Sequence, residues 1–490
     1  MGRKLPEVTV IGAGLGGLSA AIHLRLAGHR VSVLEANAAT GGRAGCLSLN
    51  GHRFDAGPTL LNYPWVFDQL FQAAGRRLAD YVELTRIEPT ITYFWPDGQH
   101  LTLFSEREPL RAELARFEPS AGPNLDRFFA DAKEKFRIAF EKLIPQDHQN
   151  PLRYFSVLTA RELLKTGLWR SMYSELGRFF SSRYIREAFG SYAMYLGGSP
   201  FRLPGLFSIL PYGELAHGLW LPRGGIYALV EAVERLAREV GVQIYTCRRV
   251  TRILVSGERV RGVRLESGEV SPAELLVCNA DLPAALVDLL GENPPRLTMS
   301  PAVLTYYWVV RERPAGLPHH TIFLPGDFRA AFRHLQSGSG LPAEPAFYLA
   351  APPSDQPQAA ISAPARIFVL VPLPLLSRLR GVAWAEATAR IREHVLKRMA
   401  EAGVALGGSS ILAEQVWTPL DWTRRLTLFD GSAFGVAHTL GQMGPFRPPN
   451  HSRRIRGLFF AGAGTNPGTG LPMVVLSGIF TARRIARHVR

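Results

Sequence analysis

The feature that most constrains this chain lies near its amino terminus, where a β-branched run, Val8-Thr9-Val10-Ile11, meets Gly12-Ala13-Gly14-Leu15-Gly16-Gly17. A helical stretch, Leu18 to Leu26, follows, with Gly28 placed to stop it, and a second apolar run, Val31 to Leu34, ends in Glu35. Strand, glycine turn, helix, strand and acid in this order predict a Rossmann-like unit that holds a dinucleotide. Gly12 permits the tight turn, Gly14 lets the backbone approach a pyrophosphate, and Gly17 allows close helix–strand packing, while the helix amino end attracts phosphates. Glu35, 23 residues after Gly12, is placed to accept hydrogen bonds from an adenosine ribose. With no arginine beside that acid, a 2′-phosphate is not expected.

FAD rather than NAD is suggested by Gly41-Gly42-Arg43, just past the acid, where an arginine would neutralise a permanently bound pyrophosphate. The other end of the chain supplies a second half. Leu458 to Ala461 reads as a strand leading into Gly462-Ala463-Gly464-Thr465-Asn466-Pro467-Gly468, and a helix runs from Leu471 to about Val489 with Pro472 in its first turn. The amino end of that helix, aimed at a flavin N1/C2=O edge, would favour the anionic reduced ring. A third piece begins at Leu221-Pro222-Arg223-Gly224-Gly225 and continues as a helix, Ile226 to Val240. Strands at 242–245, 250–255, 260–265 and 275–278 follow, the last ending at Asn279-Ala280-Asp281, which would return the chain to the nucleotide sheet.

With 490 residues, two or three domains are expected, and 47% hydrophobic against 20% charged residues excludes a disordered chain. Lys+Arg is 56 and Asp+Glu 41, a net charge of +15 that suits an anionic membrane, an acidic substrate or nucleic acid; no nucleic-acid-binding module accompanies it. Cys46, Cys247 and Cys278 are too scattered for a disulfide framework or a zinc site, so an intracellular protein without a metal is expected. No apolar run is long enough to span a bilayer, and the longest, Ile367 to Leu376, is broken by Pro372 and Pro374. Arg3 and Lys4 before an apolar stretch imitate a secretory leader, but the glycines at 12, 14, 16 and 17 make a poor leader core.

The chain resembles the bacterial-type phytoene desaturase family, the carotenoid desaturases and oxidases, over most of its length. Besides the first glycine motif, the resemblance rests on Asp55-Ala56-Gly57-Pro58-Thr59, Leu196 to Phe201, Gly218 to Gly225, Gly431 to Gly435, Phe446-Arg447-Pro448, and Gly462 through Pro472. It implies FAD-dependent desaturation of a long polyene, phytoene to more conjugated carotenes, without nicotinamide. It also implies cofactor contacts at Gly12, Gly14, Gly17, Glu35, Gly42 and Arg43, at Gly462, Pro472, Met473 and Val474, and at Val250 on the adenine side. Asn466 stands where the family often has His, and Met473 where it often has Gly, so a later-step carotenoid 3,4-desaturase, a terminal oxidase and a squalene-type polyene desaturase stay open. Two further readings are an amine-oxidase-like enzyme, which the Phe446 and Leu196 motifs oppose, and a non-catalytic prenyl-binding chaperone, which the complete cofactor segments oppose.

The expected architecture is α/β: a discontinuous Rossmann-like FAD-binding domain (1–75, 222–290, 450–490), an inserted mixed-sheet substrate domain (76–110, 291–449) and a helical, membrane-associated subdomain (111–221). Within the last, Leu164, Leu168, Met172 and Leu176 recur every four residues beside Trp169, Tyr173 and Phe180, with six cations against two acids over 161–186. That pattern reads equally as an interfacial anchor or as a core helix. Partners expected are a hydrophobic polyene, the cytoplasmic face of a membrane on which the protein is peripheral (monotopic), and a quinone or oxygen as electron acceptor. Apolar residues at 189–220 and 302–312 are candidates for a substrate tunnel, with core packing the commoner reading of any single one. His319-His320 is the one polar pair that invites a catalytic role, though neighbours on a strand point opposite ways. No acid–base residue is assigned.

Overall fold

The computed structural model describes residues 5–146, 149–352 and 364–489. Arg3 and Lys4, on which the leader reading turned, lie outside them.

Five strands make one parallel sheet in the order Leu458–Phe460, Leu275–Cys278, Val8–Ile11, Val31–Leu34, Gln243–Tyr245. Val8–Ile11 is central and wholly buried, with Val10 between Val277 and Val33, which is why that run is continuously apolar. The first helix spans Leu15–Leu26, three residues earlier than its apolar pattern suggests, because extended Gly14 lets it begin at once. Gly28, at φ 98°, ends it as expected.

This helix packs on the terminal helix Leu471–Val489, joining the two ends of the chain. Ser19 Oγ donates to Val475 O at 2.8 Å, and a Cβ at Gly478 would stand 2.5 Å from Gly16 O, so the contact requires glycine. Beside the parallel sheet, Val250–Ser256, Arg259–Leu265 and Val270–Pro272 form an antiparallel meander.

A seven-stranded mixed sheet runs in the order Ile411–Trp417, Ala302–Val310, Ala365–Leu373, Phe347–Ala350, His320–Phe323, Ile91–Phe94, His100–Leu103. Only the His320–Phe323 and Ile91–Phe94 pair is parallel. All nine residues of Ala302–Val310 are buried between two partner strands, so this segment is core; from 302–312 only Val303 reaches the cavity described below, a correction to the tunnel expectation.

The stretch 161–186 is not one helix. It is divided among Ala160–Lys165, Met172–Leu176 and the start of Arg183–Ser191. A Thr159–Glu162 capping box opens the first, Gly167 at φ 63° turns the chain, and Ser171 Oγ accepts from Ser174 N–H to open the second. The four-residue periodicity therefore spans a turn. Met172, Leu176 and Phe180 enter the core, whereas Leu164 (67% exposed) and Trp169 (55%) stay at the surface. Acids from outside the stretch also meet its cations, as in the 2.5 Å Lys165–Asp131 pair. Among the described residues no helix is long and apolar enough to cross a membrane.

Candidate active site

The loops that follow the parallel strands converge at their carboxyl ends, where such sheets bind ligands. Gly12, Gly14, Glu35, Gly42, Arg43, Val250, Gly462, Pro472, Met473 and Val474 all line one cavity of about 780 Å³. Gly17 does not. A Cβ there would lie 2.2 Å from Gly12 O, so its contribution is the close helix–strand packing that lets the turn form.

Glu35 is buried, and its carboxylate shapes the turn. Oε2 accepts from Ala13 N–H at 2.8 Å, and Oε1 from the N–H and Nδ2 of Asn37 at 2.8 and 3.0 Å. Oε2 keeps acceptor capacity for a further donor. Arg43 Nη2 donates to Asp281 Oδ1 at 2.5 Å, while its buried Nε has no partner. A guanidinium with an unused donor, facing a glycine cradle at a helix amino end, fits a pyrophosphate. The residues present thus suit FAD.

Asn279, at the end of its strand, was not singled out by the sequence as a site residue, yet it is the post around which the cradle closes. Its Nδ2 donates to Gly12 O at 3.3 Å, and Cβ atoms at Gly14, Gly16, Gly17 or Gly462 would each come within 3.0 Å of its side-chain amide. Asp55 has an equally structural task. Its two oxygens accept from Ile226 and Tyr227 N–H at 2.8 Å, seating the helix Ile226–Glu239, and a Cβ on Gly225 would strike it. This interlock joins the Asp55 and Gly224-Gly225 motifs.

At the carboxy-terminal side, Arg447 is 1% exposed and bonds only backbone: Nε to Thr465 O, Nη1 to Gln442 and Ala437 O, Nη2 to Val436 and Ala463 O. Five N–H groups meet five carbonyls, and no carboxylate pairs with it among the described residues; burial lowers its pKa to about 9. Arg447 thereby ties the Gly462 loop to the segment carrying His438.

Beyond the cradle the cavity continues between apolar and aromatic walls. Leu196, Phe207 and Leu210 come from the 189–220 region, as expected for a tunnel, and Ile322 and Phe368 from the mixed sheet. Gly197 brings three distant segments together there, since a Cβ would touch Ser300 and Phe434.

Tyr348 and Glu214 were missed by the sequence reading, which had no motif to find them by. Tyr348 lines the cavity, and its hydroxyl lies 2.6 Å from both Thr59 Oγ1 and His320 Nδ1. His319 and His320 do not line it. Their rings stack at 4.0 Å rather than diverging, because His319 precedes the strand that begins at His320. Burial drives the pKa of His319 down to about 3 and that of His320 well below its usual value, so both stay neutral. Glu214, wholly buried behind the wall, accepts from Tyr192 Oη at 2.7 Å; burial raises its pKa to about 7.

A family profile described as flavin containing amine oxidoreductase matches residues 15–486. Among known proteins, a zeta-carotene-forming phytoene desaturase of Myxococcus xanthus is 36% identical over 486 residues, which cover 98% of this chain and 93% of that protein. A 4,4'-diapolycopene oxygenase of Methylomonas sp. is 33% identical, with 99% of each chain covered. A solved structure, cyclohexylamine oxidase from Brevibacterium oxydans IH-35A, matches with a TM-score of 0.59 at 17% identity and 99% coverage of both chains. At that identity the likeness concerns the fold.

Proposed function

The chain belongs to the flavin-containing amine oxidoreductase family, in its carotenoid desaturase branch, and from that premise we propose that it desaturates a long polyene, converting phytoene to more conjugated carotenes. It is an oxidoreductase, and FAD is its cofactor. When bound, FAD supplies the two-electron acceptor for a hydride leaving an allylic carbon.

The observation that carries this reading is the continuity of a dinucleotide cradle with a deep, largely apolar cavity. Glu35 and Arg43 hold the nucleotide end, and the Gly462 loop with the amino end of Leu471–Val489 holds the other. The aromatic and aliphatic walls exclude water and keep an extended hydrocarbon in register with the acceptor. Such a wall suits a polyene better than a soluble amine.

The polyene reaches this cavity from a bilayer. Exposed Leu152, Leu164, Trp169, Leu440 and Phe446 lie on or next to segments that line the cavity through Tyr154, Phe155, Leu168, Leu440 and Phe446. Pro151–Phe155 and Gly444–Phe446 are packed together, with a Cβ at Gly444 reaching the Tyr154 ring. Arg153, Arg161 and Arg170 near these apolar side chains suit anionic headgroups at the cytoplasmic face, so the protein is peripheral there. A quinone or oxygen reoxidises the cofactor.

Co-expression with a phytoene-producing pathway, followed by chromatography with absorbance spectra, tests the assignment. Red-shifted products from colourless phytoene are expected. Unchanged phytoene beside folded, flavin-loaded protein would overturn phytoene as the substrate and direct the assay to later carotenoids and squalene-type polyenes.

A further inference from the structure

Desaturation removes a hydride and, from the neighbouring carbon, a proton, and the cofactor accounts only for the first. His319 and His320 stand behind Tyr348 and do not line the cavity, and His438, which does, is made a weak base by burial and the neighbouring Arg447 charge, which lower its pKa well below the usual value. Behind another part of the wall lies a carboxylate with a path to the cavity.

Glu214 sits on the helix Ile209–His217, whose Ile209 and Leu210 line the cavity. It is fully buried and forms no ion pair among the described residues; its partners are two residues of the cavity lining. Tyr192 Oη donates to Oε1 at 2.7 Å, and Asn62 Nδ2 lies 3.5 Å from Oε2. Beside this pair, Tyr195 Oη and Asn62 Oδ1, both of the cavity lining, are buried without partners, so the wall carries spare hydrogen-bonding capacity at this spot. A buried carboxylate without a cation is costly to keep in an apolar wall, which argues for a use beyond packing.

We propose that Tyr192 and Glu214 form the proton-accepting unit of the desaturation, with Tyr192 receiving the substrate proton as it passes its own to Glu214. This rests on the desaturase reading. The C–H bond next to the carbon that gives up the hydride breaks, and its electron pair becomes the new C=C bond. The proton goes to the Tyr192 oxygen, the phenolic proton goes to Glu214 Oε1, and the hydride would go to FAD, the two-electron oxidant of the proposed desaturation. Tyr192 ends neutral and Glu214 ends protonated, ready to release the proton before the next turnover. Asn62 and Tyr192 fix the carboxylate in place.

The ionisable groups facing Glu214 are all phenols: Tyr63, Tyr93, Tyr192, Tyr195 and Tyr348, each pushed upward by burial and by the Glu214 charge. None of them titrates near neutrality. A rate-controlling ionisation in that range therefore belongs to Glu214, raised to about 7 by burial.

The test uses full-length, FAD-loaded protein with polyene-bearing vesicles, and Glu214→Gln, Glu214→Asp and Tyr192→Phe variants first shown to be folded and to hold as much flavin as wild type. Turnover should rise with pH through about 7 in wild type. Glu214→Gln should lower it about 10²–10⁴-fold and flatten that limb, and Glu214→Asp should restore the limb in part. A limb that survives Glu214→Gln, or a loss that merely follows flavin content, would overturn the proposal. Infrared titration of the resting protein supplies a readout independent of turnover. A carboxyl band that titrates near neutrality, vanishes in Glu214→Gln and shifts in Tyr192→Phe supports the unit, whereas a band indifferent to Tyr192→Phe overturns it. Wild type that converts no polyene would sink the desaturase reading, while the infrared result still decides whether the pair is coupled.

Discussion

The two halves of the cavity are built on different principles. The nucleotide half is backbone held against backbone. Its dimensions are set by glycines whose Cβ atoms would come within 2.2 Å (Gly17) or 2.6 Å (Gly16) of a neighbour, and by side chains that bond main-chain groups, as Glu35, Asn450 and Arg447 do. The hydrocarbon half is made of side chains such as Phe207, Leu210 and Phe368, which other apolar residues of similar volume replace at small cost. One half cannot vary without losing its shape, and the other retunes the length and position of the bound chain. The difference predicts that damage to the first removes cofactor and fold together, whereas damage to the second moves the product.

The largest effect should come from Arg447→Met, which strands five buried carbonyls at the junction of the halves. We expect a loss of more than about 3 kcal/mol and protein recovered without flavin, read by chemical denaturation and flavin absorbance. A variant that melts like wild type and retains its flavin would break the comparison at its strongest point.

Gly17→Ala comes next. Its methyl must displace Gly12 O, at a cost of about 1–3 kcal/mol, and flavin content should fall although Gly17 does not line the cavity. Unchanged stability would show that the turn yields more easily than its geometry implies.

Glu214→Gln sharpens the comparison from the other side, because the hydrocarbon half holds a group that burdens the fold. The folded chain binds the Glu214 proton more tightly than the unfolded chain, raising the pKa from 4.5 to about 7. Between those values the native state carries the extra proton, so stability falls as pH rises, by about 3 kcal/mol from this group. Glu214→Gln should remove that decline and leave the protein more stable than wild type at pH 8, measured by denaturation across pH. An unchanged slope would show that the carboxyl is solvated. The smallest effect is expected of Phe207→Leu, costing less than about 1.5 kcal/mol and leaving flavin content intact while changing the distribution of desaturation products.

The same contrast explains what could be read before the fold was in hand. The cradle was legible because backbone approach demands glycine at fixed spacing: Gly12, Gly14, Gly42 and Gly462 converge where the motifs implied. The Asn279-Ala280-Asp281 segment was recognised as a return to the sheet, but not Asn279 as the post of the cradle, since one amide carries no pattern of its own. Tyr192, Tyr348 and Glu214 are brought together by long-range packing, and nothing in the spacing of 192, 214 and 348 announces it. Periodicity misled at 161–186, where residues four apart belong to separate helices divided by Gly167. At 302–310 a continuous apolar run marked a strand enclosed on both sides, not a tunnel wall. Apolar sequence reports burial without saying whether a cavity or a neighbouring strand lies opposite.

The central claim is that one cavity joins the FAD cradle to a polyene. Its most direct test is anaerobic mixing of the FAD-loaded protein with phytoene in vesicles, following oxidised-flavin absorbance and polyene product together. The account predicts one new double bond for each flavin reduced, with both signals moving at one rate. Flavin left oxidised by every polyene but reduced by a soluble amine would contradict it.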